Sequence, residues 1–366
     1  MKTYAGKEIT FIQFVCIISG IQVSVAVLSL PRKLAERAGT DGWISLLIGW
    51  ALSAAASLFI VQVMKKHPEG TLLDLVTRYI GVWAGKVIAL LFALYFLFLS
   101  FDGLTKTVLI MRTWLLPTTQ SYIIMILLLI PTYTMARHGP RILGRYAELV
   151  VYMSLWIPIV YLFTLKNAHW LHLLPVLKGG WKPVWSGVQA TIYPSLGMVA
   201  TFFLYPYLKY KEKASKGILL SITLTTLIYL FITIICFIYF SPDEIKLFND
   251  PVISILKSIE FRFIERIEIP FIAFYLFIFS LVWIPGMYMT TFCTSWLFNK
   301  PNNRSHLQIL CLAIAVSTYF LQPTYNQTDR SQIFLVIVGF IVEYIFPVCL
   351  LIYLVVTSRV QRRKDL

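Results

Sequence analysis

Apolar residues in this chain come in long unbroken runs, without the regular polar positions of a half-buried helix or strand. "FIQFVCIISGIQVSVAVLSL" and "WISLLIGWALSAAASLFIVQVM" set the pattern. Runs of about 18 or more mostly apolar residues read as spanning helices, since about 20 residues cross roughly 30 Å of hydrocarbon. Hydropathy and flanking charge place ten such spans, at about 10–31, 42–64, 84–112, 119–136, 142–165, 184–208, 216–240, 267–298, 306–322 and 332–358. The third and eighth are long enough to tilt. The first follows no signal-peptide pattern and is expected to be retained. No soluble domain or low-complexity segment interrupts the series, so residues 1–366 read as one transmembrane domain. Its two five-span halves lie at about 10–165 and 184–358. The one sizeable loop, about 241–266, reads as a short amphipathic helix at the interface.

Composition agrees with this pattern. Of 366 residues 58% are hydrophobic and 13% charged, where a soluble domain carries about 25% charge. The class is an all-α polytopic membrane protein. Basic residues fix an orientation: with an inside amino terminus, "MKTYAGK", "ARHGPRILGR", "KYKEKASK", "NKPNNR" and "RVQRRK" collect on one side. The positive-inside tendency then puts both termini in the cytoplasm, with Arg32, Lys33 and Arg37 as an exception outside. The net charge of +15 reads as attraction of juxtamembrane Lys and Arg to anionic lipid headgroups. Nucleic-acid binding would need a soluble basic module, and there is none.

Recognisable reaction chemistry is missing. All five cysteines fall inside apolar spans with no CxxC pair, and His169 and His172 share a helical turn without a third ligand. Phosphate-binding glycine loops, HExxH and GxSxG do not occur. The expectation is therefore no enzyme, no cofactor and no metal. What the chain does carry is interruption inside its spans. Pro194 removes a backbone donor in span six, and Gly197 relaxes the backbone three residues on. Backbone left unpaired in lipid costs several kcal/mol, so such a break is buried in protein or faces a cavity. Spans one and six are corresponding members of the two halves, and paired discontinuities there point to a substrate site. A plain proline kink gives the same sequence.

Several stretches are familiar in order: "LSLPRKLAERAGTDGWISLLIGW", "HPEGTLLDLVTRYIG", "LLPTTQSYI", "ARHGPRILGRYAELV", "LLPVLKGGWKPVWSG" and "YPYLKYKEKASKG". Across nearly its whole length the chain resembles the spore-germination permease family, the B subunit of nutrient receptors in endospore-forming bacteria. That family lies within the amino acid–polyamine–organocation superfamily. The resemblance implies a LeuT-like fold of ten helices in two inverted five-helix repeats, with spans one and six broken around a midplane pocket. It also implies the inner membrane of the spore, and a complex with an A subunit and a lipoprotein C subunit. In that fold Gly20 to Ala26 is the unwound centre of span one, Pro31 ends the outer half-helix, and "RKLAERAG" lies along the outer surface. Relatives carry glycines where this chain has "SVAV", so its first break is expected to be tighter.

Carried over residue by residue, the ligand site is Gln22, Ser24, Val25 and Ala26 in span one and Tyr193, Ser195, Leu196 and Gly197 in span six. Tyr95 and Leu99 from span three, with Tyr288, Thr290 and Thr291 from span eight, close it. Half-helix amide ends there suit a carboxylate or a hydroxyl. The aromatics serve equally as interhelical packing, and the hydroxyls equally as partners of their own helix backbone. Ionisable residues within spans are functional suspects. Asp102 and Lys106 stand one turn apart and are expected to pair; Glu148 and Arg145 likewise. Glu343 has no local partner and is the candidate for proton coupling or an interhelical contact. Two functions fit: a nutrient sensor binding an amino acid or sugar, or a proton- or sodium-coupled amino acid transporter. A pore gated by Leu196 and Phe340, within the same receptor complex, is a third.

Overall fold

The computed structural model describes residues 7–259, 266–299 and 303–364. Part of "MKTYAGK", residues 260–265 of the long loop, part of "NKPNNR" and the last two residues lie outside these. The first expected span is two helices, α1 (Phe11–Val23) and α2 (Ala26–Ala38), parted by Ser24 and Val25. α3 (Gly42–Lys65) fills the second, and a short α4 (Leu72–Tyr79) precedes the third, α5 (Val82–Trp114). α6 (Ser121–Ala136) lies in the fourth, and α7 (Pro140–Met153) continues as α8 (Ile157–Leu162) in the fifth. The sixth is α9 (Trp181–Val188), a run of 3-10 turns, and α10 (Thr201–Leu204). α11 (Ala214–Tyr239) is the seventh; α12 (Pro251–Ser254) follows in the long loop. α13 (Glu268–Leu297) and α14 (Asn303–Phe320) are the eighth and ninth. The tenth joins α15 (Tyr325–Phe340), a π-helical stretch Ile341–Ile345, and α16 (Phe346–Lys364).

Every segment marked by hydropathy is thus helical. Among the described residues six helical stretches are long and apolar enough to cross a membrane, or seven if the two parts of span six, bent by 43°, are one. α1 and α6 are apolar but shorter. The chain is an all-α integral membrane protein.

Local chemistry accounts for the ends of these helices. Thr10 and Gln13 form a capping box that starts α1, and Thr324 and Gln327 do the same for α15, each pair satisfying amides that the first turn leaves free. α13 lies against α5, where a Cβ on Gly286 would stand 2.2 Å from Ser100 Oγ; small residues at a crossing let membrane helices approach this closely. Apolar side chains such as Leu90, Leu94, Ile309 and Leu312 are exposed on the bundle's outside, as a lipid-facing surface requires.

Two expectations fail here. Pro31 does not end the outer half-helix: α2 runs through it to Ala38. Pro31 stands in the second turn after a break, and the helix beyond it is fixed by packing and by what Arg32 and Lys33 reach. The long loop is not one interfacial helix either. Its described part is a series of short turns in which Val252, Ile253, Ile255 and Leu256 are buried. Their apolar contacts inside the bundle outweigh any amphipathic face. At the opposite end, Ile9 pairs with Leu208 in an isolated parallel bridge. The Ile9 N–H donates to the Tyr207 carbonyl at 2.9 Å, and the Lys209 N–H to the Ile9 carbonyl at 3.1 Å.

Candidate functional site

The two broken spans meet at the centre of the bundle. In span one the chain turns at Ser24, whose φ of 29° and ψ of −170° lie where non-glycine residues are strained. Helical bonding stops there and leaves carbonyls free. The Tyr229 hydroxyl, from α11, donates to the Gln22 carbonyl at 2.7 Å and to that of Val23 at 3.0 Å. The Gln22 side chain works across the gap. Its Nε2 donates to the Ser195 carbonyl at 2.9 Å, and its Oε1 accepts from Thr225 Oγ1 at 3.1 Å. Span one is thereby fastened to spans six and seven.

The break in span six is longer. Tyr193–Ser195 form a 3-10 turn around Pro194, Leu196 is extended, and Gly197 takes φ 112°. A Cβ at Gly197 would stand 2.2 Å from Ile21 Cγ2, so glycine serves both the turn and the close approach of span one. The freed amides point at Glu343. Its Oε1 accepts from the Gly197 N–H at 2.6 Å and from the Tyr95 hydroxyl at 2.5 Å, and its Oε2 accepts from the Met198 N–H at 2.9 Å. Glu343 is fully buried and sits in the π-helical stretch of span ten. The carboxylate that half-helix amides call for is supplied by the chain itself.

A polar network closes the end of the site nearest α2. Arg32 reaches Asp329 at 3.2 Å and Asn249 at 2.7 Å, and Lys33 Nζ donates to Gln332 Oε1 at 2.6 Å. Gln332 donates to the Tyr193 hydroxyl, which donates to Asp102 Oδ2 at 2.6 Å; Ser331 donates to Asp102 Oδ1 at 3.1 Å. Asp102 and Lys106 form no ion pair among the described residues. Asp102 is held from spans six and ten, and the Lys106 ammonium lies 4.5 Å from the centre of the Tyr325 ring. Asp250, in the long loop, faces the same network; burial pushes its carboxyl above the ordinary range against the opposing pull of Lys106 and Arg32. Glu148 likewise turns away from Arg145 and accepts from Gln13 Nε2 at 3.1 Å. In both cases a partner on another span outcompetes the neighbour one turn away.

Gln22, Ser195 and Gly197 meet where span one faces span six; Ser24 forms the turn of span one, Tyr193 turns to Asp102, and Tyr95 arrives through Glu343. Gln22 and Ser195 line a cavity of about 10 Å³, room for about one water. Leu196 fills the space over Gly339, and Val25, Ala26 and Leu99 are packed in the core. Thr290 and Thr291 donate to carbonyls of their own helix, and Tyr288 pairs with Tyr207. Phe340 stands apart, on a larger cleft of about 830 Å³ between α3, α9 and α15. His169 and His172 have ring centres 5.3 Å apart, and no group of three metal-binding side chains occurs among the described residues. Sequence reasoning missed Tyr229, Thr225, Ser331, Gln332 and Asp329. For Ser331 and Asp329 a signal existed: "TYNQTDRSQ" opens with a capping box, which moves the start of span ten back from 332 to include them.

Solved structures with a similar fold include MhsT and Mhp1. MhsT in complex with L-phenylalanine matches with a TM-score of 0.68 and 13% identity, over 96% of this chain and 89% of that one. Mhp1, a nucleobase-cation-symport-1 family transporter in a closed conformation with bromovinylhydantoin bound, matches at 0.56 and 12%, over 92% and 76%. Among curated proteins, the spore germination protein GerQB of Bacillus cereus is 22% identical over 352 residues, 94% of either chain. YndE of Bacillus subtilis (strain 168) is 27% identical over 262 residues, 69% of this chain and 70% of that one. Both are spore germination proteins. The model of the Spore_permease family, described as spore germination protein, matches residues 8–330, and the chain belongs to that family.

Proposed function

We propose that this chain is the membrane subunit of a nutrient-germinant receptor in the spore's inner membrane, with both termini in the cytoplasm. In this reading it binds an amino acid or sugar between the breaks of spans one and six and passes a conformational signal to an A subunit and a lipoprotein C subunit. The observation that carries it is the meeting of three spans on one carboxylate. Glu343 holds the amides of span six and the hydroxyl of Tyr95 in span three, so whatever separates them shifts span ten against the rest. A ligand moves such an equilibrium by binding one arrangement better than the other. Glu343 is the group whose protonation would act on the same contacts, and Leu196 is the residue that must move to open space for a ligand.

The second reading is a proton- or sodium-coupled amino acid transporter, favoured by the likeness of the fold to coupled transporters. Germination of spores with the chain, without it and with Glu343→Gln separates the two. Loss of response to a defined set of amino acids or sugars, with vegetative uptake unchanged, is the expected result. Normal germination with impaired uptake of one nutrient would overturn the receptor.

A further inference from the structure

The cleft between α3, α9 and α15 reaches the edge of the span-six break at Tyr193 and has a different chemistry. Its walls are Leu52 on α3, Trp185 and Val188 on α9, and Ile333, Ile337 and Phe340 on α15. All but Val188 are exposed apolar side chains, on faces that the spans turn toward the bilayer. Lengthwise it runs from Gln332, beside Arg32 and Lys33, down to Tyr344. At 1.5 Å per residue that stretch of span ten is about 18 Å long. This is close to half of the roughly 30 Å hydrocarbon core, the depth of a single leaflet.

The head of the cleft is charged. Arg32, Lys33 and Arg37 face Glu36 and Asp329 there, so three cations and two carboxylates leave one positive charge. Arg32 and Lys33 are engaged by Asp329, and Arg32 by Glu36 as well. Among the described residues Arg37 is bound by neutral acceptors alone, Gln189 Oε1 at 2.8 Å and the Ser186 carbonyl at 3.5 Å. The surplus charge is therefore at Arg37, at the water end of an apolar trough one leaflet deep.

We propose that this cleft binds an anionic glycerophospholipid, with its phosphate at Arg37 and one acyl chain along Ile333, Ile337 and Phe340. The trough accounts for the chain and the surplus cation for the choice of headgroup; a free phosphate would leave the apolar walls bare. The inner wall includes Tyr193, next to Pro194, and Tyr344, next to Glu343. A lipid seated here lies against the near end of the span-six break and against the neighbour of Glu343 on span ten, and its occupancy bears on how readily that break moves.

The test uses the full chain in phosphatidylcholine vesicles doped with lipids brominated on their acyl chains, which quench tryptophan on contact. Subtracting the signal of Trp185→Phe isolates Trp185. Brominated phosphatidylglycerol is expected to quench Trp185 at about one-fifth of the mole fraction that brominated phosphatidylcholine requires, the ratio one interfacial cation supplies. Arg37→Gln is expected to bring the two lipids together without altering Trp185 emission in unbrominated vesicles. Equal quenching by both lipids in the unaltered chain would reduce the cleft to ordinary lipid contact and overturn the proposal. Relief of quenching by soluble glycerol phosphate would assign an anion site without a chain, and no quenching of Trp185 by either lipid would assign the cleft to another occupant; both overturn it.

Discussion

The breaks in spans one and six occupy matching places and are built in opposite ways. Span one breaks over two residues, turns on a strained serine, and has its freed carbonyls bound by a donor, the hydroxyl of Tyr229. Span six breaks over a proline, an extended leucine and a glycine, and has its freed amides bound by an acceptor, the carboxylate of Glu343. Each partner comes from a long span outside the pair, α11 for one and span ten for the other. An interrupted membrane helix requires an internal substitute for water. Here the substitute differs in polarity and charge, which makes the two breaks unequal in strength.

That inequality can be broken by substitution. Glu343→Leu is expected to have the largest effect, since it strands two amides and the Tyr95 hydroxyl. At about 1–3 kcal/mol per unsatisfied buried group, thermal unfolding in detergent should show a loss of about 3 kcal/mol or more. A loss smaller than that of Tyr229→Phe would mean that span six does not depend on its carboxylate. Tyr229→Phe keeps the ring and removes one hydroxyl shared by two carbonyls; the same assay should read about 1–2 kcal/mol. Ser24→Gly is the smallest and has the opposite sign. Relief of the positive φ, worth about 1–3 kcal/mol, is offset in part by the entropy of glycine in the unfolded chain. The net is a rise in stability of about 1 kcal/mol, and an unchanged melting temperature would show that Ser24 bears no strain.

Much of this architecture was legible from residues alone. Ten apolar runs marked the helices, Pro194 and Gly197 marked the span-six break, and the lack of any local partner for Glu343 pointed to a contact on another helix. Its actual partners were not legible. They are amides 146 and 145 positions away and a hydroxyl 248 positions away, and no spacing rule reaches that far. Where such a rule was available it misled: one-turn spacing paired Asp102 with Lys106 and Glu148 with Arg145, although both acids are bound from other spans. Ser24 shows the same limit for backbone. The lack of a glycine in "SVAV" argued for a tighter break, but the positive φ follows from how α1 and α2 are held, and only the folded chain fixes that.

The bridge between Ile9 and Leu208 ties the segment entering span one to the segment leaving span six. Two backbone hydrogen bonds make the ends of both broken helices a single handle on the face opposite the Arg32–Asp329 contact. A pull on the residues before Ile9 is therefore shared by both helices at once, and travels along α10 to Gly197 and along α1 to Ser24. Mechanically the molecule resembles a pair of levers with a common grip, in which force applied at one rim is delivered to two fulcrums in the middle of the membrane.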